Sequence, residues 1–110
     1  MTRQERAAHK IKHIETMISA CENWPEPKRS EEQTFHMWRI ELLHKYATAP
    51  EQELTNRLGQ LQASLPADMW NKKYQIGLSG ILPAHKQAIC EAGILEYLLG
   101  LYPVKRRRVV

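Results

Sequence analysis

The sequence predicts an all-α protein, a small bundle of four to five helices expected to dimerise through a long C-terminal helix. Three observations carry this. Apolar residues recur three and four apart through most of the chain, hydroxyl capping signatures precede several of these runs, and proline or glycine punctuates their ends. No strand signal competes: valine, isoleucine and threonine nowhere alternate in a sustained run, and neither Asn-Gly nor Asp-Gly occurs.

Three helix starts are expected where a hydroxyl side chain can accept from a backbone N–H and a residue three later can reach back. They are Thr2 with Glu5, Ser30 with Gln33, and Thr48 with Glu51. The first helix is predicted from about Arg3 to Glu22, with Ala7, Ile11, Ile14, Ile18 and Cys21 along one stripe. Asn23 to Arg29 contains Pro25 and Pro27 and reads as a connector, with Trp24 expected to anchor it against the core. The second helix, about Glu31 to Ala47, places Phe35, Trp38, Leu42 and Tyr46 on one side, with Met37, Ile40, Leu43 and Ala47 beside them. A third, about Ala49 to Ser64, has Pro50 in its first turn and a narrow seam of Leu54, Leu58, Leu61 and Leu65 suited to one partner helix.

From Pro66 to Gly80, Met69, Trp70, Tyr74 and Ile76 allow a short helix while Gly77 and Gly80 interrupt it, so a short helix followed by a glycine loop is predicted. The last helix opens near Pro83 and ends at Pro103. It carries Ala88, Ala92, Leu95, Leu99 and Tyr102 in one row and Ile94, Leu98 and Leu101 in a second. A helix this widely apolar needs cover on two sides, and a second subunit or a partner is the simplest cover for so small a chain.

A chain of 110 residues has room for one modest core, so residues 1–103 are read as a single helical domain and residues 104–110 as a basic C-terminal tail. The net charge of +4 suggests nucleic acid until it is located, because Lys105, Arg106, Arg107 and Arg108 account for all of it and the body is formally neutral. This tail is the possible nucleic-acid contact. It has no interleaved aromatic residues, and no helix-turn-helix with a basic recognition helix accompanies it. The longest apolar run, Ile89 to Tyr102, is broken by Glu91 and Glu96 and is too short to span a bilayer. Met1 to Lys12 is charged and lacks the apolar centre of a secretion signal, so a cytoplasmic protein without membrane partners is expected.

No residue set reads as catalytic. Cys21 and Cys90 lie in apolar stripes, form no C-x-x-C pair, and are expected to be reduced packing residues with no base nearby. His9 and His13 stand four apart, a spacing that aims two imidazoles at one ion. The further candidates Cys21, His36, His44 and His85 fall at no ligand spacing, so no metal and no cofactor are expected. Glu91 and Glu96, five apart, face different ways and read as rim or solvated carboxylates. Gly77, Gly80, Gly93 and Gly100 make no phosphate cradle; Gly93 and Gly100 are expected to permit close helix approach.

The segment Ile89 to Lys105, I-C-E-A-G-I-L-E-Y-L-L-G-L-Y-P-V-K, resembles the last helix of the TraM- and QslA-type quorum-sensing anti-activators, small antagonists of LuxR-type receptors. Leu99, Gly100, Leu101, Tyr102 and Pro103 match the family's closing turn, and Leu65, Pro66 and the loop to Gly80 are similar upstream. The basic tail departs from the family pattern. The resemblance implies a helical homodimer without catalytic activity that binds a LuxR-type transcriptional activator and blocks its dimerisation or DNA binding. The expected partner or dimer surface is Trp70, Tyr74, Ile94, Leu95, Leu98, Leu99, Leu101 and Tyr102. The alternative function is a phage- or plasmid-encoded nucleic-acid-binding accessory protein that uses the tail.

Overall fold

The computed structural model describes residues 1–71 and 83–101. Among them are five helices, α1 Arg3–Ala20, α2 Lys28–Thr48, α3 Glu51–Ser64, α4 Ala67–Asn71 and α5 Pro83–Leu98, and no strand. The all-α expectation holds. Among the described residues no helix is long and apolar enough to cross a membrane. The single domain expected over residues 1–103 resolves into two compact units, Met1–Thr48 and Ala49–Val110.

The first unit is a helical hairpin of α1 against α2. Its opening is the predicted capping box: the Glu5 backbone N–H donates to Thr2 Oγ1 at 3.1 Å, and the Thr2 N–H donates to Glu5 Oε1 at 2.7 Å. The Thr2 backbone N–H, with the Thr2 hydroxyl, holds the Glu5 carboxyl below its ordinary range. Ala7, Ile14 and Cys21, seven apart, are buried, with Ile11 and Ile18 half-buried beside them, so the predicted stripe is the packed face.

The second start differs from expectation. Helix α2 begins at Lys28, ahead of Ser30, and its cap comes from a residue upstream: the Ser30 N–H and hydroxyl both donate to the Glu26 carboxylate, at 3.0 and 2.8 Å. The guanidinium of Arg29 grips the same carboxylate at 2.8 Å. Together the Arg29 and Ser30 bonds lower the Glu26 carboxyl to about 2. Ser30 is thus a capped residue rather than the cap. Gln33 crosses to α1 instead, its side chain donating to the Ile18 carbonyl at 3.2 Å.

In the second unit α3 packs against α5. The predicted seam is present: Leu54, Leu61 and Leu65 are buried and Leu58 half-buried. The third capping box is absent, because Thr48 ends α2 while Pro50 occupies the N-cap of α3 with no side-chain bond. The dipole of this end is met by Glu51 and Glu53 in the first turn. Helix α4 supplies the short helix expected after Pro66; the glycine loop behind it lies outside the described residues.

Helix α5 stops at Leu98, short of the expected end at Pro103, and α2 is the longer of the two. Gly100 explains the stop. Its φ of 78° is the left-handed conformation, its N–H donates to the Tyr97 carbonyl at 3.1 Å, and the Leu101 N–H donates to the Glu96 carbonyl at 2.7 Å. This pair of bonds is a Schellman closure with glycine at the position that favours it. Neither helical glycine is a close-approach device, since a Cβ built on Gly59 or Gly93 meets nothing within 4 Å.

Candidate functional site

The surface expected on α5 is largely interior. Ile94, Leu95 and Leu98 are buried by the chain itself, together with Ile89 and Ala92. The width of the apolar face therefore reflects cover from within the chain, which removes the reason for requiring a second subunit. Of the expected surface residues on α5 and its closing turn, Leu99 is half-buried and Leu101 is 58% exposed. Trp70 packs, with Met69 and Ala88, against Leu65 and Ile89, and is half-buried core rather than free surface. Tyr74, Tyr102 and the tail cations Lys105, Arg106, Arg107 and Arg108 lie outside the described residues.

Glu91 corrects the solvated reading given to it. It is 7% exposed and binds Arg57 in a two-pronged ion pair, with Nε donating to Oε2 at 2.8 Å and Nη2 to Oε1 at 3.1 Å. A fork-to-fork bond of this kind satisfies both carboxylate oxygens, which is the condition for keeping the charge inside. The pairing ties α3 to α5 across their seam.

The hairpin holds a second polar group that periodicity did not predict. His36 is buried between α1 and α2, its Nδ1 3.0 Å from Arg39 Nη1 and its Nε2 3.6 Å from Glu32 Oε2. A guanidinium only donates, so Nδ1 accepts and the ring hydrogen sits on Nε2, toward Glu32. Buried Leu43 and Tyr46 continue this face, whereas Phe35, Trp38 and Leu42 are half-buried beside it. The inner face of α2 is therefore turned from the one its aromatic residues suggested. Two bonds fix the pairing: the Gln33 contact to Ile18 near the connector, and Arg3 Nη1 donating to the Tyr46 carbonyl at 2.9 Å at the open end.

His9 and His13 are both exposed, and among the described residues no group of three or more His, Cys, Asp or Glu side chains could hold a metal ion. Cys21 is buried and Cys90 half-buried, and both are free thiols. Trp24 does not anchor the connector. It is exposed, with Lys28 Nζ 5.0 Å from its ring centroid.

Turning the face of α2 leaves an apolar remainder outside. Met37 is 54% exposed, and a shallow groove of about 420 Å³ runs beside it, lined by Ser30, Gln33, Thr34, Met37, Trp38 and Glu41. Trp38 is steadied from the inner side by Phe35, the ring centroids lying 5.7 Å apart. An unbranched thioether beside an indole, edged by hydroxyl, amide and carboxylate groups, suits an apolar side chain of a partner. Met37 and Trp38 were legible as apolar; that one of them faces outward was not.

No protein-family model matches this chain, and comparison with curated proteins and with solved structures finds no match.

Proposed function

We propose that this protein acts by binding another protein, and that the partner is a LuxR-type transcriptional activator held so that it neither dimerises nor binds DNA. The single observation that carries the binding reading is the groove on α2, where exposed Met37 and half-buried Trp38 stand together among polar side chains. The choice of receptor rests on the resemblance over Ile89 to Lys105. Among the described residues of that segment Leu101 is exposed, and Cys90, Tyr97 and Leu99 are half-buried. The test is co-purification with a panel of LuxR-type receptors, followed by measurement of receptor release from promoter DNA. Capture that is lost in Met37→Glu, with helical circular dichroism retained, supports both parts. Capture by no receptor sinks the receptor assignment, and undiminished capture by Met37→Glu sinks the groove.

A second reading, nucleic-acid binding through Lys105 to Arg108, rests on that run of cations. It predicts affinity falling steeply with salt, which apolar receptor contact does not. Light scattering of the purified chain tests the homodimer implied by the resemblance.

A further inference from the structure

Helix α2 carries a line of side chains that α1 leaves partly in solvent. Glu31, Phe35, Trp38, Leu42 and Lys45 follow one another at intervals of four, three, four and three. At 3.6 residues per turn they stand within about 80° of one another, the spacing of a seam between two paired helices. The line runs beside the buried row of His36, Leu43 and Tyr46 that packs toward α1. Its three central residues are half-buried and its two ends exposed. Phe35 and Trp38 rest together, their ring centroids 5.7 Å apart, so the centre of the line is set before anything meets it. The ends differ in sign. Glu31 stands in the first turn of α2 and Lys45 in the last, with the Lys45 ammonium 5.1 Å from the Tyr46 ring centroid.

A line with an acid at one end, a base at the other and large apolar side chains between is complementary to itself when reversed. Turned end for end about Trp38, a second copy brings its own Trp38 onto Trp38, its Leu42 beside Phe35 and its Lys45 level with Glu31, the last two contacts made twice by symmetry. Thr34 then falls level with the other copy's Glu41, a hydroxyl facing a carboxylate. The parallel arrangement sets glutamate against glutamate and lysine against lysine at the two ends, so charge selects the reversed one. We propose that the occupant of this face is a second copy of the chain, joined antiparallel through α2 with the two-fold axis at Trp38. The inference does not rest on the receptor reading. It moves the expected dimer surface from α5, where Ile94, Leu95 and Leu98 are buried, to α2. Three large side chains per copy make a small interface, so the dimer dissociates on dilution.

Sedimentation equilibrium of the full chain from about 1 to about 200 µM follows association, with circular dichroism to check that each variant keeps its helices. The parent is expected to pass from monomer to dimer across this range. Glu31→Lys and Lys45→Glu each set like charges against one another at both ends of the pairing, and each is expected to weaken association about tenfold. Mixed in equal amounts, the two variants are expected to pair with each other as tightly as the parent pairs with itself, since opposite charges then meet at both ends. Glu15→Lys makes the same change of net charge on α1, at an exposed position off the line, and is the control that should not rescue Lys45→Glu. Glu31 and Lys45 also suit the dipole of their own helix, but that role leaves nothing for mixing to restore. A parent that stays monomeric at the highest concentration overturns the pairing. So does a dimer that neither reversal weakens, or a mixture no tighter than the one with Glu15→Lys. Receptor capture by a monomeric parent, lost in Leu42→Glu, overturns it too and gives the line to the receptor.

Discussion

Replacing Arg57 by Met should cost the second unit about 2 kcal/mol, more than replacing Glu91 by Leu. The magnitude follows from how unevenly water reaches the pair. A fully buried ion pair broken on one side loses about 3–5 kcal/mol, and an exposed one loses about 0–1. Here the Glu91 side chain is 9% exposed and that of Arg57 is 41% exposed. Removing Arg57 strands a carboxylate that water barely reaches, whereas removing Glu91 leaves a guanidinium already half in solvent. The first loss therefore falls between the two limits, and the second is about 1 kcal/mol or less. The double variant Arg57→Met/Glu91→Leu should return to within about 1 kcal/mol of the parent, since no charge is then stranded. Urea unfolding followed by Trp70 fluorescence, in a background carrying Trp24→Phe and Trp38→Phe, reads the second unit alone, because Trp70 packs on Leu65 and Ile89. Equal costs for the two single variants, or a double variant as unstable as their sum, would refute the reasoning.

Two further expectations come from the helix ends and interiors. Gly59→Ala should stabilise the chain by up to about 1 kcal/mol, because the added methyl meets open space and helix propensity improves. Gly100→Ala should cost about 1–2 kcal/mol through its positive φ; thermal melts giving the same sign for both would contradict the Schellman assignment. The Glu26 carboxyl, lowered from 4.5 to about 2 by Arg29 and Ser30, contributes stability that is present above pH 4.5 and lost as pH falls toward 2. The start of α2 should therefore fray over that window. Amide exchange at Ser30 that stays constant from pH 5 to pH 2, after correction for intrinsic rates, would count against it.

What could be read in advance was what the local chain decides. Thr2 and Glu5 cap α1 through bonds made within a single turn, and the leucine seam of α3 needs only one neighbour. The same capping-box spacing misled at Ser30, where the Glu26 carboxylate reaches the backbone first, and at Thr48, where one helix ends before the next begins. Polar residues in the core were illegible for a different reason. Glu91 is buried because of Arg57, 34 residues away, and His36 because Arg39 and Glu32 occupy its two nitrogens. Apolar periodicity cannot register such partners. It also could not tell a helix covered by its own chain from one awaiting a partner, so Ile94, Leu95 and Leu98 looked like surface. The groove at Met37 became visible only once His36 and Leu43 had fixed which way α2 turns.

The two bonds that clamp the hairpin, Arg3 to the Tyr46 carbonyl and Gln33 to the Ile18 carbonyl, both end on backbone oxygens. A backbone acceptor is present whatever side chain stands at its position, so neither bond depends on the lettering of Ile18 or of Tyr46. Ala7, Ile14 and Leu43 can then exchange among residues of similar volume without removing either bond, while replacing Arg3 or Gln33 removes one. Descendants of this hairpin would then be recognisable by the interval between two polar side chains long after their cores had stopped looking alike.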